Sequence, residues 1–584
     1  MWNSTNFRNW KLKIKKNSFT YQIEDSKQNH TRKKLRPFFV HLICFIAIIV
    51  FFWFLSNINL SLNKYGWKVF KTNITNFFNF SSTSTVYGGL KENLWTLSIK
   101  FMLATVKYAI AGTFIGFLFA VLTAFLCNKN FVNKYWSFIP RNLMLILRAV
   151  PELVFINMFI HVYYKYATLV FIFIWFTWLW LHKYFIEILN SIDNTPYLMS
   201  IYRGNSKTKA FFTEIYPRIV NRFVNLGFYS LESNIKWNTI LGALGVMGIG
   251  SLIKHASDED WSQLGIPLFI MILFIVSLEI LSYFLKKYFF DDRTRKIEKN
   301  TNEKSLVIYK KISILADIKY WIKIFIFIVL AIFSVSVILV ENTSFKDFEF
   351  LKMFVKKMFS PDYSDFNLLS LKADKNPILL VLQSMIFAIL SVILSFITLL
   401  IVLFYSNSKI NRAHTYVSIR SLTSFFRVIP SPVVFLIFSP LFNHDYSLLI
   451  LVLGFHESSS LIKQISEATD NIDNDFINNL KMQGYSNLKI YIRFIIPIIK
   501  YDLASWFFFY LEMSFRNSIT YSVYSQQGLV IGSKISNYMD ARIKQFEKAF
   551  SYIWLATLSI LILNLISEFI IDKRNKNKWF KKTQ

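Results

Sequence analysis

From Pro37 to Ser56 the chain reads PFFVHLICFIAIIVFFWFLS, twenty residues without a formal charge. A helix rises about 1.5 Å per residue, so such a run spans about 30 Å, the thickness of a bilayer core. Comparable runs recur near 37–57, 99–126, 142–163, 166–187, 218–246 and 264–286. A second set falls near 321–341, 377–406, 421–441, 446–465, 498–524 and 551–571. Of the 584 residues 54% are hydrophobic and only 17% charged, against roughly 25% charged in ordinary soluble proteins. The sequence predicts an all-α polytopic membrane protein with about 12 transmembrane helices, six in each half.

The net charge is +31, and its placement separates a membrane topology signal from a nucleic-acid footprint. Residues 1–36 carry ten Lys and Arg against two acids, 286–323 eleven against five, and 572–584 six against one. Basic residues gathered beside apolar spans mark the cytoplasmic side, so no nucleic-acid partner is expected. The expected organisation is a basic cytoplasmic N-terminus (1–36), a first six-span unit (37–286), a cytoplasmic linker (287–320), a second unit (321–571) and a basic cytoplasmic tail (572–584). Residues 1–36 are too long and polar for a cleaved signal peptide. Two cysteines, Cys44 and Cys127, exclude a disulfide framework.

The two units are an internal repeat. At an offset of 280, Glu187 meets Glu467, Ile192-Asp193-Asn194 meets Ile472-Asp473-Asn474, Gly204 meets Gly484 and Pro217 meets Pro497. The same offset pairs Leu231-Glu232 with Leu511-Glu512, Lys236 with Arg516 and Gly248 with Gly528. At 279, RAVPELV from Arg148 meets RVIPSPV from Arg427. With an even number of spans each, the repeats insert in the same orientation, related by an axis along the membrane normal.

Each repeat holds a polar stretch between its fourth and fifth spans, 187–217 and 467–497. Gly204 and Gly484 suit a tight turn, and Pro217 and Pro497 suit the first position of the next helix. Between them KTKAFFTEIY and NLKIYIRFII read as a short helix at the membrane face. One such loop fits an interfacial helix without a partner; two at matched positions fit a docking surface for a two-fold partner. No Gly-x4-Gly-Lys-Ser/Thr occurs, so any ATP is bound by another subunit. No metal spacing or nucleophile–base set appears, and the chain is expected to be no enzyme, with no cofactor of its own.

Ionisable residues inside spans are functional candidates. Glu232 and Lys236 lie four apart on one helix face, as do Glu512 and Arg516. One reading is mutual neutralisation; the other places Lys236 and Arg516 on a translocation path that attracts an anion. Arg148 and Arg427 are further candidates for that path, with snorkelling to the membrane face as the plainer reading. Pro151 and Pro430 are expected to kink their helices, and Glu279 and Glu568 to be buried structural acids.

The Gly-x12-Pro loops resemble the coupling loops of binding-protein-dependent ABC transporter permeases. LRAVPELV (147–154) and LESNIKWNTILGALGVMGIGSL (231–252) are similar to the phosphonate-type branch, as is HESSSLIKQISE (456–467) on its approach to the second loop. The resemblance implies two tandem six-helix importer repeats and two copies of a cytoplasmic ABC ATPase. It also implies an extracytoplasmic substrate-binding lipoprotein and a phosphonate or phosphate-ester substrate, with a phosphorylated vitamin as alternative. Family loops carry Glu six residues before the Gly and Ala after it; here Leu198 and Asn205, and Asn478 and Tyr485, stand there. The Gly-rich element is full in the first repeat and reduced to Gly528 and Gly532 in the second. An ion-coupled secondary transporter with two six-helix halves shares the span count but needs no loops of this kind.

Overall fold

A computed structural model describes residues 20–24, 31–35, 58–86, 92–128, 131–285 and 304–582, apart from a few single positions, together with residues 49, 52 and 56. The first predicted span, near 37–57, lies outside the described residues save those three, as does the Glu568 side chain. In the N-terminal segment, Thr20–Glu24 pairs antiparallel with Thr31–Leu35.

The first repeat runs through Leu94–Cys127, Lys134–Ala149, Glu152–Val162, Lys165–Ser191, Tyr216–Ala243 and Gly265–Leu285. The second runs through Lys304–Val340, Pro377–Ser406, Ala413–Val428, Ser431–Phe438, Asp445–Asp470, Ile496–Thr520 and Phe546–Lys582. Among the described residues seven helices are long and apolar enough to cross a membrane, and ten if each sharply bent pair counts once. The second repeat's first helix begins at Lys304, so the predicted linker is helical over its second half.

Two predicted spans, 142–163 and 421–441, are not straight. Each breaks at its proline, the arms turning by 86° at Val150-Pro151 and 82° at Ile429-Pro430. Proline lacks the N–H and biases the residue before it toward extended backbone; Val150 and Ile429 are extended, with ψ of 129° and 121°. The kink expected at Pro151 and Pro430 is therefore a full corner.

The second and fourth spans of each repeat cross at small residues. A Cβ on Gly112 would lie 2.5 Å from Phe173 Cβ, and one on Gly116 2.6 Å from the Ile174 carbonyl oxygen. The second repeat has Ser391 and Ser395 there, and Ser395 Oγ donates to the Gly454 carbonyl at 2.8 Å. Small-xxx-small spacing lets backbones approach where lipid supplies no hydrophobic drive between helices.

The corners interlock the repeats. Leu153 and Val154 of the first are buried in the second's core with Leu380, Leu461 and Phe515. Val428 and Val433 of the second, with Val337, are buried in the first's core beside Phe173 and Ile235. The Lys304–Val340 helix also lies on Leu94–Cys127, through the Phe114–Phe327 ring pair and a Lys107–Glu341 ion pair at 3.3 Å.

Candidate functional site: paired loops and a buried charge cluster

The matched Ile-Asp-Asn segments open the loops. Asp473 is the N-cap of the short helix Asn474–Met482 and accepts from Asp475 N at 3.1 Å, whereas Asp193 stands one residue before the N-cap Asn194 of Thr195–Tyr202 and accepts from Thr195 N at 3.0 Å. Both helices end at the matched glycines. Gly204 has φ of +92° and Gly484 of +80°. Asn205 N bonds the Ser200 carbonyl and Tyr485 N the Leu480 carbonyl, the six-to-one bond that closes a helix on a left-handed glycine.

Between Gly and Pro the predicted separate helix is replaced by a continuous entry into the fifth span. Ser206 and Ser486 cap one α-turn, a π-turn follows at Phe211–Ile215 and Tyr491–Ile495, and the α-helix resumes at Tyr216 and Ile496. Pro217 and Pro497 thus lie just after a π-turn rather than at a free helix start. A π-turn accommodates backbone groups that a proline leaves out of the ladder. The loop helices expose Leu198, Met199 and Tyr202 in one repeat and Phe476 and Met482 in the other. Tyr202 and Met482, the matched last residues, are 84% and 83% exposed. Glu187 and Glu467 lie exposed near the ends of the preceding helices.

The charged candidates meet where the repeats join. Lys236 Nζ lies 2.7 Å from Glu232 and donates to the Arg427 carbonyl oxygen at 2.9 Å. Arg427 Nη2 bonds Glu279 and lies 3.8 Å from Glu232. Arg516 pairs with Glu512 at 2.7 Å and reaches Glu152 of the first repeat at 3.6 Å. Lys183 holds the other Glu512 oxygen at 3.2 Å, and Arg148 lies close enough to Glu512 to act on it electrostatically. Arg427 does not snorkel: its side chain is 3% exposed, because Glu279 offers a carboxylate within the bundle. Glu279 is half-exposed rather than buried, and also faces Lys463 at 4.0 Å.

Sequence reasoning passed over Glu152 and the roles of Lys183 and Lys463. The signal was there: LHKYFIE and LIKQISE place Lys183 and Lys463 at the same 280 offset. Two cavities border the cluster. One of about 190 Å³ is lined by Arg148, Lys183, Glu512 and Arg516 with Trp180 and Tyr184. The other, about 140 Å³, is lined by Glu232, Lys236, Arg427, His456 and Glu457. Tyr229, Trp237, Tyr510 and Asn517 border both.

The Gly-rich element is built for close approach. A Cβ on Gly250 would fall 1.8 Å from the Asn238 carbonyl oxygen, and one on Gly532 2.1 Å from that of Ile519. Gly532 therefore does in the second repeat what Gly250 does in the first. Gly528, matched to Gly248 by the offset, lacks its left-handed backbone.

The family described as binding-protein-dependent transport system inner membrane component matches residues 112–296 and again 411–576. The chain belongs to this family. Two matches bear out the internal repeat and the tandem permease architecture. The permease is similar to the ABC transport system permease protein p69 of Mycoplasma pneumoniae, 27% identical over 484 residues, 82% of this chain and 85% of that protein. Its likeness to the p69 of Mycoplasma genitalium is 26% over 535 residues, 91% and 92% of the two chains. The phosphite transport system permease protein PtxC of Stutzerimonas stutzeri is 24% identical over 199 residues, 33% of this permease and 70% of that one. No solved structure matches. As a multi-pass membrane permease of this family, it works with an ATPase and a substrate-binding protein.

Proposed function

We propose that this permease imports a small anionic solute of the phosphonate or phosphate-ester class, delivered by an extracytoplasmic binding lipoprotein and driven by two copies of a cytoplasmic ATPase. The observation that carries the reading is the pair of matched loops, each a short helix with a matched Asp at its start, closed by a left-handed glycine and ending in an exposed apolar residue. Such a protrusion fits a groove on a two-fold partner, and an apolar tip replaces the acid missing at Leu198 and Asn478. ATP then stays with the partner. Basic segments beside the spans support termini on the cytoplasmic side of the cell membrane. The phosphite permease among the relatives and the buried cations between the repeats support an anionic cargo.

In this reading Glu187, Gly204, Pro217, Glu467, Gly484 and Pro497 position the coupling surface. Glu232, Lys236, Glu512, Arg516, Arg148 and Arg427 border the path. Partner closure at the loops rocks the repeats against each other, and the cross-repeat ion pairs set how far they part. The test is copurification of an ATPase with the detergent-solubilised chain, then uptake of labelled methylphosphonate by the reconstituted complex. ATP-dependent uptake is expected; uptake on an ion gradient without ATP overturns the proposal.

A further inference from the structure

The smaller cavity contains donors that the ion pairs do not use. Arg427 is 3% exposed, and only its Nη2 is engaged, by Glu279. Its Nε and Nη1 have no hydrogen-bond partner among the described residues, and neither has His456 Nε2. Both side chains line the same cavity of about 140 Å³. A buried guanidinium carries five donors and no acceptor, and leaving them unmet in a dry site is costly. The arrangement calls for an acceptor with several oxygens.

Several other polar groups there are occupied. Lys236 is taken by Glu232 and the Arg427 carbonyl. Ser431 and Tyr521 hydroxyls bond each other at 2.7 Å. The two carboxylates on the wall are also engaged: Glu232 by Lys236, and Glu457 by Ser514 at 3.0 Å and Asn517 at 3.0 Å. The volume is ample beside the roughly 10–15 Å³ that one water needs.

The first repeat builds nothing equivalent. The repeat offsets set Arg148, Phe176, Thr177 and Trp180 where the second has Arg427, His456, Glu457 and Ser460. Phe176 and Trp180 face the larger cavity, where Arg516 is held by Glu512 and Glu152.

We infer that Arg427 and His456 form a subsite for a tetrahedral oxyanion, a phosphate or phosphonate group, in the cavity between the repeats, and that the second repeat alone supplies its donors. Charge-assisted bonds from a guanidinium suit such oxygens. Assigning the bound anion as cargo rests on the importer reading; the binding itself does not.

The experiment is equilibrium binding of labelled methylphosphonate, with inorganic phosphate as competitor, to the full chain in lipid nanodiscs. Saturable binding is expected, weakened at least about tenfold by Arg427→Gln and severalfold by His456→Phe, the first repeat's residue. Glu279→Gln/Arg427→Gln removes both partners of the pair, so a loss there is not the trace of an orphaned carboxylate. Lys254→Gln, in an exposed pair with Asp258, should bind as wild type. Binding retained in both Arg427 variants, or no saturable binding by the wild type, overturns the subsite. ATPase copurification from the same membranes separates the two readings: its presence without anion binding sinks the subsite alone, and its absence sinks the importer.

Discussion

Arg516 of the second repeat lies 2.7 Å from Glu512 on its own helix and 3.6 Å from Glu152 across the junction. Arg427, also of the second repeat, bonds Glu279 and approaches Glu232, both of the first. The second repeat thus sends two arginines into the first's acids, and the first sends Lys183 to Glu512. The self-neutralised Glu-Lys and Glu-Arg pairs expected on single helices exist, but they are half of a cross-repeat network.

Removing one member should therefore cost more than a surface pair does. Glu512 serves Arg516 and Lys183 together, and both would be left in a low-dielectric site. Glu512→Gln should destabilise the detergent-solubilised chain by about 3–5 kcal/mol. Arg516→Gln added to it should restore part of that. Thermal unfolding of the two variants checks this, and equal loss in both would remove the network from the stability account.

The loop glycines predict a different signature. A Cβ on Gly204 or Gly484 would meet nothing within 4 Å, so only the backbone conformation opposes substitution. Gly204→Ala with Gly484→Ala should cost about 1–2 kcal/mol per site locally and leave yield near normal, while ATPase stimulation by the partners falls. Full coupling in the double variant would show that the left-handed turn is not needed at the docking surface.

Much of this was legible in sequence for a physical reason. Span length and period are set by the bilayer, and a duplicated Gly or Asp survives only where backbone geometry demands it, as at Asp193 and Asp473. What was not legible depends on pairing across the duplication. No local rule says that Arg427 finds Glu279, 148 positions away, or that a proline kink becomes a corner of 82°. The crossing at Gly112 and Gly116 did follow a readable spacing, hidden in the second repeat because serines stand there.

That crossing gives a graded test. Gly116→Leu must displace the Ile174 backbone and the Thr177 side chain, 2.6 and 2.7 Å from the added Cβ. Overpacking of this kind costs about 1–3 kcal/mol or more. Ser395→Ala loses an interhelical hydrogen bond, worth about 0.6 kcal/mol on average in membranes, and a bond to the Ser391 carbonyl of its own helix. Unfolding midpoints should rank wild type, Ser395→Ala, then Gly116→Leu, and the reverse order of the variants would refute the close-approach account.

Acid should loosen one seam outside the spans. Burial pushes the Asp365 carboxyl up, but hydrogen bonds from Tyr538 and Lys548 outweigh it and hold it below the ordinary carboxylate value. A depressed carboxyl stabilises the fold above its unfolded value, near about 4, and that contribution is lost as pH falls through the folded value. The stability of Asp365→Asn should lack this acid-side fall, measured as unfolding midpoint from neutral pH down to pH about 3. Parallel profiles for wild type and variant would dismiss the seam.

The interlocked cores make the last prediction. Leu153 and Val154 complete the second repeat's core, and Val337, Val428 and Val433 the first's, so either repeat alone exposes surface built for its partner. Burial of a residue of this kind is worth about 1.5–3 kcal/mol, a sum that a lone repeat forgoes. Expressed singly, each half should be degraded or aggregate. Expressed together as two chains cut between residues 287 and 303, they should assemble and retain ATPase copurification. The cut removes no core contact among the described residues, so failure of the co-expressed halves would mean that covalent linkage, not interlocking, holds the repeats in register.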